Sequence, residues 1–329
     1  MRLAVLGAGA VGSRAARQLA STPGVEALTI ADPNAKLVAS VCASLGAVAT
    51  ATSAAEVDLT GHDVVVLAGP GRHHRDQAER ALEAGASVVS CTDELGPTRL
   101  LLALDDEARV RDRTVAVGAG FAPGLSDLLA AHAGRLFDEV HEVHVARAGT
   151  GGPACARAHH AALRGLALDW RDGAWVSRQG GSGRELAWFP DPVAGLDCYR
   201  ASVPDALLFA PAFPGLLRAT SRVAATRRDR LSAPLPMLRQ PHPEGLIGGI
   251  RVEVRGRRGQ SFETVVYGAV DRPALAAGAV AAMIAVEIGL GRLTRRGAAG
   301  LAVLCPEPLP ILHELASRGV RSATFEGSG

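Results

Sequence analysis

The sequence predicts an α/β fold: a doubly wound parallel sheet with helices on both faces, joined to a second, α+β domain with a mixed or antiparallel sheet. Three observations predict it. Over residues 1–117, short apolar runs alternate with amphipathic stretches through short connections, the pattern of a parallel sheet. The run Val64–Leu67 is continuously apolar, as in strands covered on both faces. From Val140 onward, segments such as Val140–Val145 and Ile250–Arg255 alternate in the manner of half-buried strands.

The first strand, Leu3–Leu6, breaks into Gly7, Gly9 and Gly12, and apolar residues resume at helical spacing through Val11, Ala15, Ala16 and Leu19. In such a strand, turn and helix, the first glycine permits a sharp turn and the second lets a pyrophosphate approach the backbone. The third lets the helix pack close to the strand. The phosphates would meet the free N–H groups and positive end of the helix, so Gly7, Gly9, Ala10, Val11 and Gly12 are the expected cofactor loop of a Rossmann-type domain. The run Ala27–Ala31 ends at Asp32, about 20 residues after Gly12, where a carboxylate accepts hydrogen bonds from ribose hydroxyls. Asp32 repels a 2′-phosphate and favours NAD; Lys36 and Arg14 nearby keep NADP as the alternative.

Asn34–Leu45 reads as a helix and Ala47–Thr50 as a short strand. Val64–Leu67 ends in a turn at the sheet edge where such folds bind ligands, so Ala68, Gly69 and Pro70 join the cofactor set. His73 and His74 read as polar residues in the first turn of a surface helix, with cofactor contact as the alternative. Helix Asp76–Ala84 and strand Ser87–Ser90 bring Cys91 and Asp93 to the same edge. Helix Thr98–Arg109 and strand Thr114–Val117 lead to Gly118, Gly120, Pro123 and Gly124. Pro123 can open a helix running to about Leu136. Cys91, Gly118 and Gly120 are expected beside the nicotinamide, and Pro123 and Gly124 beside the substrate.

Composition removes several function classes. A formal charge of +2 over 329 residues argues against a nucleic-acid footprint or a membrane-surface patch. The longest apolar helix, about Pro273–Leu290, is interrupted by Glu287 and rich in alanine and glycine, which suits a packed core. No signal peptide is expected ahead of the first strand, and the expected location is cytoplasmic. Five cysteines without a C-x-x-C pair predict no disulfide framework and no metal site. Lys36 is the sole lysine, which disfavours a Schiff base. Tyr199 and Tyr267 lack a lysine four residues on, which excludes a Tyr-x-x-x-Lys proton relay.

In the second domain, the loop Thr150–Pro153 leads into a helix, Cys155–Leu166, whose start faces the cleft. Trp175–Ser177 and the turn Gly180–Gly183 suggest a strand and a hairpin. Pro190–Pro243 reads as irregular loops with a helix near Leu216–Thr226. Ile250–Arg255 and Ser261–Tyr267 form a hairpin about Gly256–Gly259 whose outward face is the expected homodimer surface. The helix from Pro273, strand-like Gly300–Leu304 and helix Pro308–Ser317 return to the first domain. The expected domains are therefore 1–122 with about 270–329, and about 123–269.

The opening Gly7–Gly12, Asp32, the Ser90–Asp93 strand end and Gly118–Gly124 together resemble the saccharopine dehydrogenase/reductase family, in the branch of lysine ε-dehydrogenase and carboxynorspermidine dehydrogenase. The resemblance covers the first 135 residues or so, less closely about Gly249–Leu290, and poorly 150–245. It implies an NAD(P)-dependent oxidoreductase acting on a C–N bond of an amino acid or amine, with an amino acid, amine or imine as its small-molecule substrate.

Oxidation of an amine carbon releases a proton from nitrogen, so a carboxylate or histidine near the ring is the expected base. By location these are Asp93, Asp127, and His159 or His160, only one of which can face the site because helical neighbours diverge. Arg157, Arg200 and Arg222 are the candidates for binding a substrate carboxylate. Two other readings stay open. One is an aldehyde or semialdehyde dehydrogenase using Cys91 or Cys155 as nucleophile; the other is a non-enzymatic NAD(P) sensor.

Overall fold

The computed structural model describes residues 1–237 and 240–325. In chain order, the first part comprises β1 (Arg2–Leu6), α1 (Ala10–Ala20), β2 (Ala27–Asp32), α2 (Ala35–Ala43), β3 (Ala49–Ser53), β4 (Val64–Leu67), α3 (His74–Glu83), β5 (Ser87–Ser90), α4 (Leu95–Leu102), α5 (Asp105–Val110) and β6 (Thr114–Val117). Next come α6 (Leu125–Gly134), β7 (Glu139–Ala148), α7 (Pro153–Ala162), β8 (Leu166–Arg171), β9 (Ala174–Gln179), β10 (Glu185–Trp188), β11 (Gly195–Tyr199), α8 (Asp205–Phe209), β12 (Arg218–Ala224), α9 (Arg227–Ser232), β13 (Gly248–Arg258) and β14 (Ser261–Asp271). The chain closes with α10 (Pro273–Gly289), β15 (Gly297–Gly300), α11 (Leu301–Leu304), α12 (Leu309–Ser317) and β16 (Arg321–Phe325).

The two sheets have different characters. Among the described residues the first has the order β15-β6-β5-β4-β1-β2-β3, and every neighbouring pair is parallel. Its central strands β4, β5 and β6 are buried throughout, as their continuous runs require. The second sheet follows β10-β11-β12-β7-β13-β14-β16, with β8 joined to β12 and β9 to β8. It is mixed: β12 and β7 are parallel and the other pairs antiparallel.

Helix α10 is buried along almost its whole length and lies against α1. The approach is close enough that a side chain at Gly278 would meet Arg14 at 2.5 Å, so the small residues of α10 serve helix packing. Among the described residues no helix is long and apolar enough to cross a membrane.

Several local expectations are corrected. Arg218–Ala224, inside the stretch expected to be helical, is the strand β12; it pairs with β7 over six residues, and long-range pairing overrides local propensity. The hairpin after Trp175 runs backwards: β9 pairs with β8 through Asp172-Gly173, both at positive φ, the turn geometry that matches strand twist. The segment after Gly183 instead pairs β10 with β11. The helix expected at Thr98–Arg109 is two helices, because Asp105, Asp106 and Glu107 open a new helix start suited to acidic side chains. Pro123 lies before α6 rather than at its first position. Gly124, at φ +125, is the cap, and a Cβ there would lie 2.2 Å from the Gly120 carbonyl oxygen. Gly300–Leu304 divides into the end of β15 and α11. The tail divides too: β15 extends the first sheet, whereas β16 extends the second.

Candidate active-site cleft

The register pairs Leu6 with Leu67, Leu67 with Ser90 and Ser90 with Val117, so the loops after β1, β4, β5 and β6 leave the sheet at one level. Two glycines shape the first loop from behind. A Cβ at Gly12 would lie 1.8 Å from the Gly7 carbonyl oxygen, which holds α1 hard against the β1 turn. Gly9 differs, because nothing stands within 4 Å of a Cβ placed there. That open space belongs to a cleft of about 630 Å³ lined by Gly9, Ala10, Val11, Ala68, Gly69, Pro70, Cys91 and Gly120, among others. No side chain caps α1, so its first N–H groups remain for an anion. At the end of β2, Asp32 accepts hydrogen bonds from the Ala8 and Asn34 N–H groups, both at 2.8 Å. Lys36 is exposed on α2, while Arg14 is engaged by Glu244 at 2.8 Å. Gly118 lies behind the cleft, where a Cβ would meet Pro123 at 2.7 Å. An uncapped helix start, an open approach at Gly9 and a carboxylate at Asp32 fit the pyrophosphate and ribose of a dinucleotide.

The Gly69–Pro70 wall is braced from within by His74, which is buried rather than on the surface. Its Nδ1 lies 2.8 Å from Ser90 Oγ and its Nε2 3.0 Å from the Gly69 carbonyl oxygen. Burial pushes His74 down to about 4. The neutral ring therefore donates from Nε2 to Gly69 and accepts the Ser90 hydroxyl at Nδ1. Ser90 Oγ in turn accepts the Thr92 N–H at 3.3 Å, so one ring ties together the ends of β4 and β5.

The opposite wall comes from β7 and α7. Gly152 caps α7, and the segment Gly149–Pro153 lines the cleft. Cys155 and His159, one helical turn apart, turn toward Asp93. Asp93 Oδ2 lies 2.6 Å from His159 Nε2 and 3.2 Å from Cys155 Sγ, with Arg147 Nη1 4.0 Å away. Burial alone would push the Asp93 carboxyl up. The His159 charge and hydrogen bond, Arg147 and the Cys155 thiol outweigh it and hold Asp93 well below the usual carboxylate range. An ionised Asp93 makes His159 Nε2 the donor. The other ring nitrogen, Nδ1, is buried without a partner.

The donor atoms of Asp93, Cys155 and His159 all lie within 4.8 Å of one another. They are hydrogen-bonded to each other, and a guanidinium stands beside the shared oxygen, an arrangement that suits a proton better than a divalent cation. Burial, followed by the Asp93 charge, raises Cys91 to about 12 and pushes Cys155 well above its ordinary value. Both are neutral thiols at physiological pH, which is unfavourable for a nucleophile.

Of the sequence candidates, the structure brings together Asp93, His159, Cys91, Gly120 and Pro123 around the cleft, with exposed Arg157 also lining it. It separates the others. His160 turns away to Ser232 Oγ at 3.0 Å. Asp127, in the first turn of α6, is fully buried near Asp205, and burial and that second carboxyl push it well above the usual range, so it belongs to the interior. Arg200 pairs with Asp169 at 3.1 Å and Arg222 with Glu185 at 3.5 Å, both outside the cleft. Arg147 escaped the sequence reading, and His74 was read as a surface residue with cofactor contact as the alternative. Arg147 continues the inward phase of Val143 and Val145 on β7, and His74 shares a helical face with Ala78, Ala81 and Leu82. A polar or charged residue in a core phase was the available signal in both cases.

Residues 1–90 match the GFO_IDH_MocA family model, described as an oxidoreductase family with an NAD-binding Rossmann fold. Among solved structures, the chain is similar in fold to an apo saccharopine dehydrogenase (L-Glu forming) of Saccharomyces cerevisiae, with a TM-score of 0.71 at 16% identity over 99% of this chain and 100% of that one. A DAP dehydrogenase of C. glutamicum in complex with DAP gives 0.51 at 16% identity, over 95% of this chain and 98% of that one. A myo-inositol dehydrogenase of Corynebacterium glutamicum gives 0.50 at 15% identity, over 100% and 99%. With the glycine loop and its open approach, the matched segment makes this protein an NAD-binding oxidoreductase.

Proposed function

We propose that the protein oxidises a C–N bond of an amino acid or amine to the imine, or reduces that imine, with Asp93 and His159 moving the proton. The observation that carries this reading is the 2.6 Å contact between Asp93 and His159 at the cleft. NAD, when bound, supplies the hydride acceptor or, reduced, the donor. The chain's own groups do the rest. Asp93 stays ionised and orients the His159 ring through its contact with Nε2. The Asp93–His159 pair takes the proton from the substrate nitrogen during oxidation and returns it during reduction. Phe121, Ala122 and Pro123 keep apolar surface on the cleft wall and limit water there.

The likeness to proteins named saccharopine dehydrogenase and DAP dehydrogenase supports the C–N part of the reading. NADP remains the alternative cofactor through Lys36. We further propose a homodimer across the outward face of the β13–β14 hairpin, where Phe262 is exposed; its solution mass checks this.

The test is absorbance of the reduced nicotinamide on mixing enzyme, NAD or NADP, and a panel of amino acids, amines, imines and polyols. Turnover confined to C–N substrates is expected. Turnover of polyols alone, or of nothing in the panel, would sink the proposal.

A further inference from the structure

We propose that Arg147 binds a carboxylate of the substrate, so that the enzyme acts on amino or imino acids rather than on simple amines. This rests on the C–N reading above and narrows it.

Arg147 is 2% exposed and lines the cleft beside Asp93, Ala122 and Pro123. Its Nη1 donates to the Ala122 carbonyl oxygen. Its Nε and Nη2 have no partner. Those two atoms form one edge of the guanidinium, the side-on edge whose parallel N–H groups match the two oxygens of a carboxylate. A buried cation with a vacant two-donor edge carries a desolvation cost that a bound anion relieves. Asp93 does not fill that role. Its near oxygen is 4.0 Å from Nη1, beyond hydrogen-bond reach, and is already shared by His159 and Cys155.

Position separates this edge from the pyrophosphate site. The phosphates belong at Gly9 and the start of α1, on the first-domain wall, whereas Arg147 stands on β7 next to the proton-moving pair. An α-amino acid carries its carboxylate and amine on one carbon. A carboxylate seated on Arg147 therefore brings the amine to the neighbourhood of Asp93 and His159. Arg72 and Arg157, both exposed, also line the cleft, but no burial demands a partner for either.

The test compares each amino acid of the panel with the amine left by removing its α-carboxyl group, in wild type, Arg147→Lys and Arg147→Met, with NAD affinity measured in all three. Wild type should prefer the amino acid by roughly 100-fold or more in kcat/KM. Arg147→Met should abolish that preference, and Arg147→Lys, which keeps the charge but loses the two-donor edge, should reduce it by roughly tenfold, with NAD affinity unchanged. An unchanged preference in Arg147→Met, equal use of amines by wild type, or loss of NAD binding alone would overturn the proposal. Should Arg147→Met fail to fold, an unaltered preference in Arg147→Lys overturns it equally. If no C–N substrate turns over, glutarate titrated calorimetrically into the complex with reduced nicotinamide separates the two ideas. Binding to wild type but not to Arg147→Met keeps the carboxylate site while the C–N reading falls; equal or absent binding removes both.

Discussion

The cleft has two walls built on different principles. The first-domain wall is made of backbone: the turn at Gly7, the open approach at Gly9 and the free N–H groups of α1, with few functional side chains. The second-domain wall is made of side chains: Asp93 reaches across to Cys155 and His159 on α7, with Arg147 behind them on β7. A backbone site is encoded by short-range spacing, because glycine is needed wherever chains approach closely. A side-chain site is encoded by long-range register, and its members are scattered from Asp93 to His159. The contrast shows which substitutions should affect chemistry and which should affect only cofactor binding.

Breaking the second wall should have the largest effect. Asp93→Asn and His159→Asn are expected to lower kcat by roughly 100- to 10,000-fold while NAD affinity, read by quenching of protein fluorescence, stays near wild type. A loss of NAD binding with kcat preserved would reverse the roles assigned to the two walls.

The first wall should fail in the opposite manner. Gly9→Val adds a side chain where nothing of the protein stands within 4 Å, so thermal stability should be retained. NAD affinity should fall by roughly 10- to 100-fold, because the added atoms occupy the approach to the pyrophosphate. Wild-type affinity in that variant would remove the loop from the cofactor site.

His74 sharpens the comparison by bracing the first wall with a side chain. Its folded value is depressed to about 4 from an ordinary 6.5. As pH falls below about 6.5 the unfolded chain takes up the proton first, so this contribution to stability, fully present above 6.5, declines until about 4. The total loss is about 3 kcal/mol. Urea midpoints at several pH values should show that slope in wild type and a shallower one in His74→Gln. Equal slopes would mean that His74 does not carry it.

The smallest effect belongs to the thiols. Because burial keeps Cys91 and Cys155 protonated, Cys91→Ala and Cys155→Ala should retain kcat within about threefold. A collapse of activity on iodoacetamide treatment of wild type that Cys155→Ala escapes would restore the nucleophile reading.

Legibility followed the same division. The parallel sheet was readable because Val64–Leu67 is wholly apolar and Gly7–Gly12 has one structural solution. The β13–β14 hairpin was readable from strict alternation, although it is longer than the alternation alone suggested. β12 was misread because Arg218–Ala224 has no strong local preference and becomes a strand only by lying beside β7. Asp93 and His159 could be named as separate candidates. Their 2.6 Å pairing and the turning away of His160 depend on how α7 docks against the loop after β5.

By itself, then, the sequence determined that a dinucleotide-binding sheet comes first, that its glycine loop opens α1, and that an antiparallel hairpin lies in the second domain. These are matters of spacing within a few residues, where sterics and periodicity leave little choice. Only the tertiary structure decided that Asp93, His159 and Arg147 share one cleft and that Asp127, His160, Arg200 and Arg222 stand outside it. The physical reason is that a side chain's neighbours are set by strand register and helix docking between elements far apart in the chain, which no local pattern specifies.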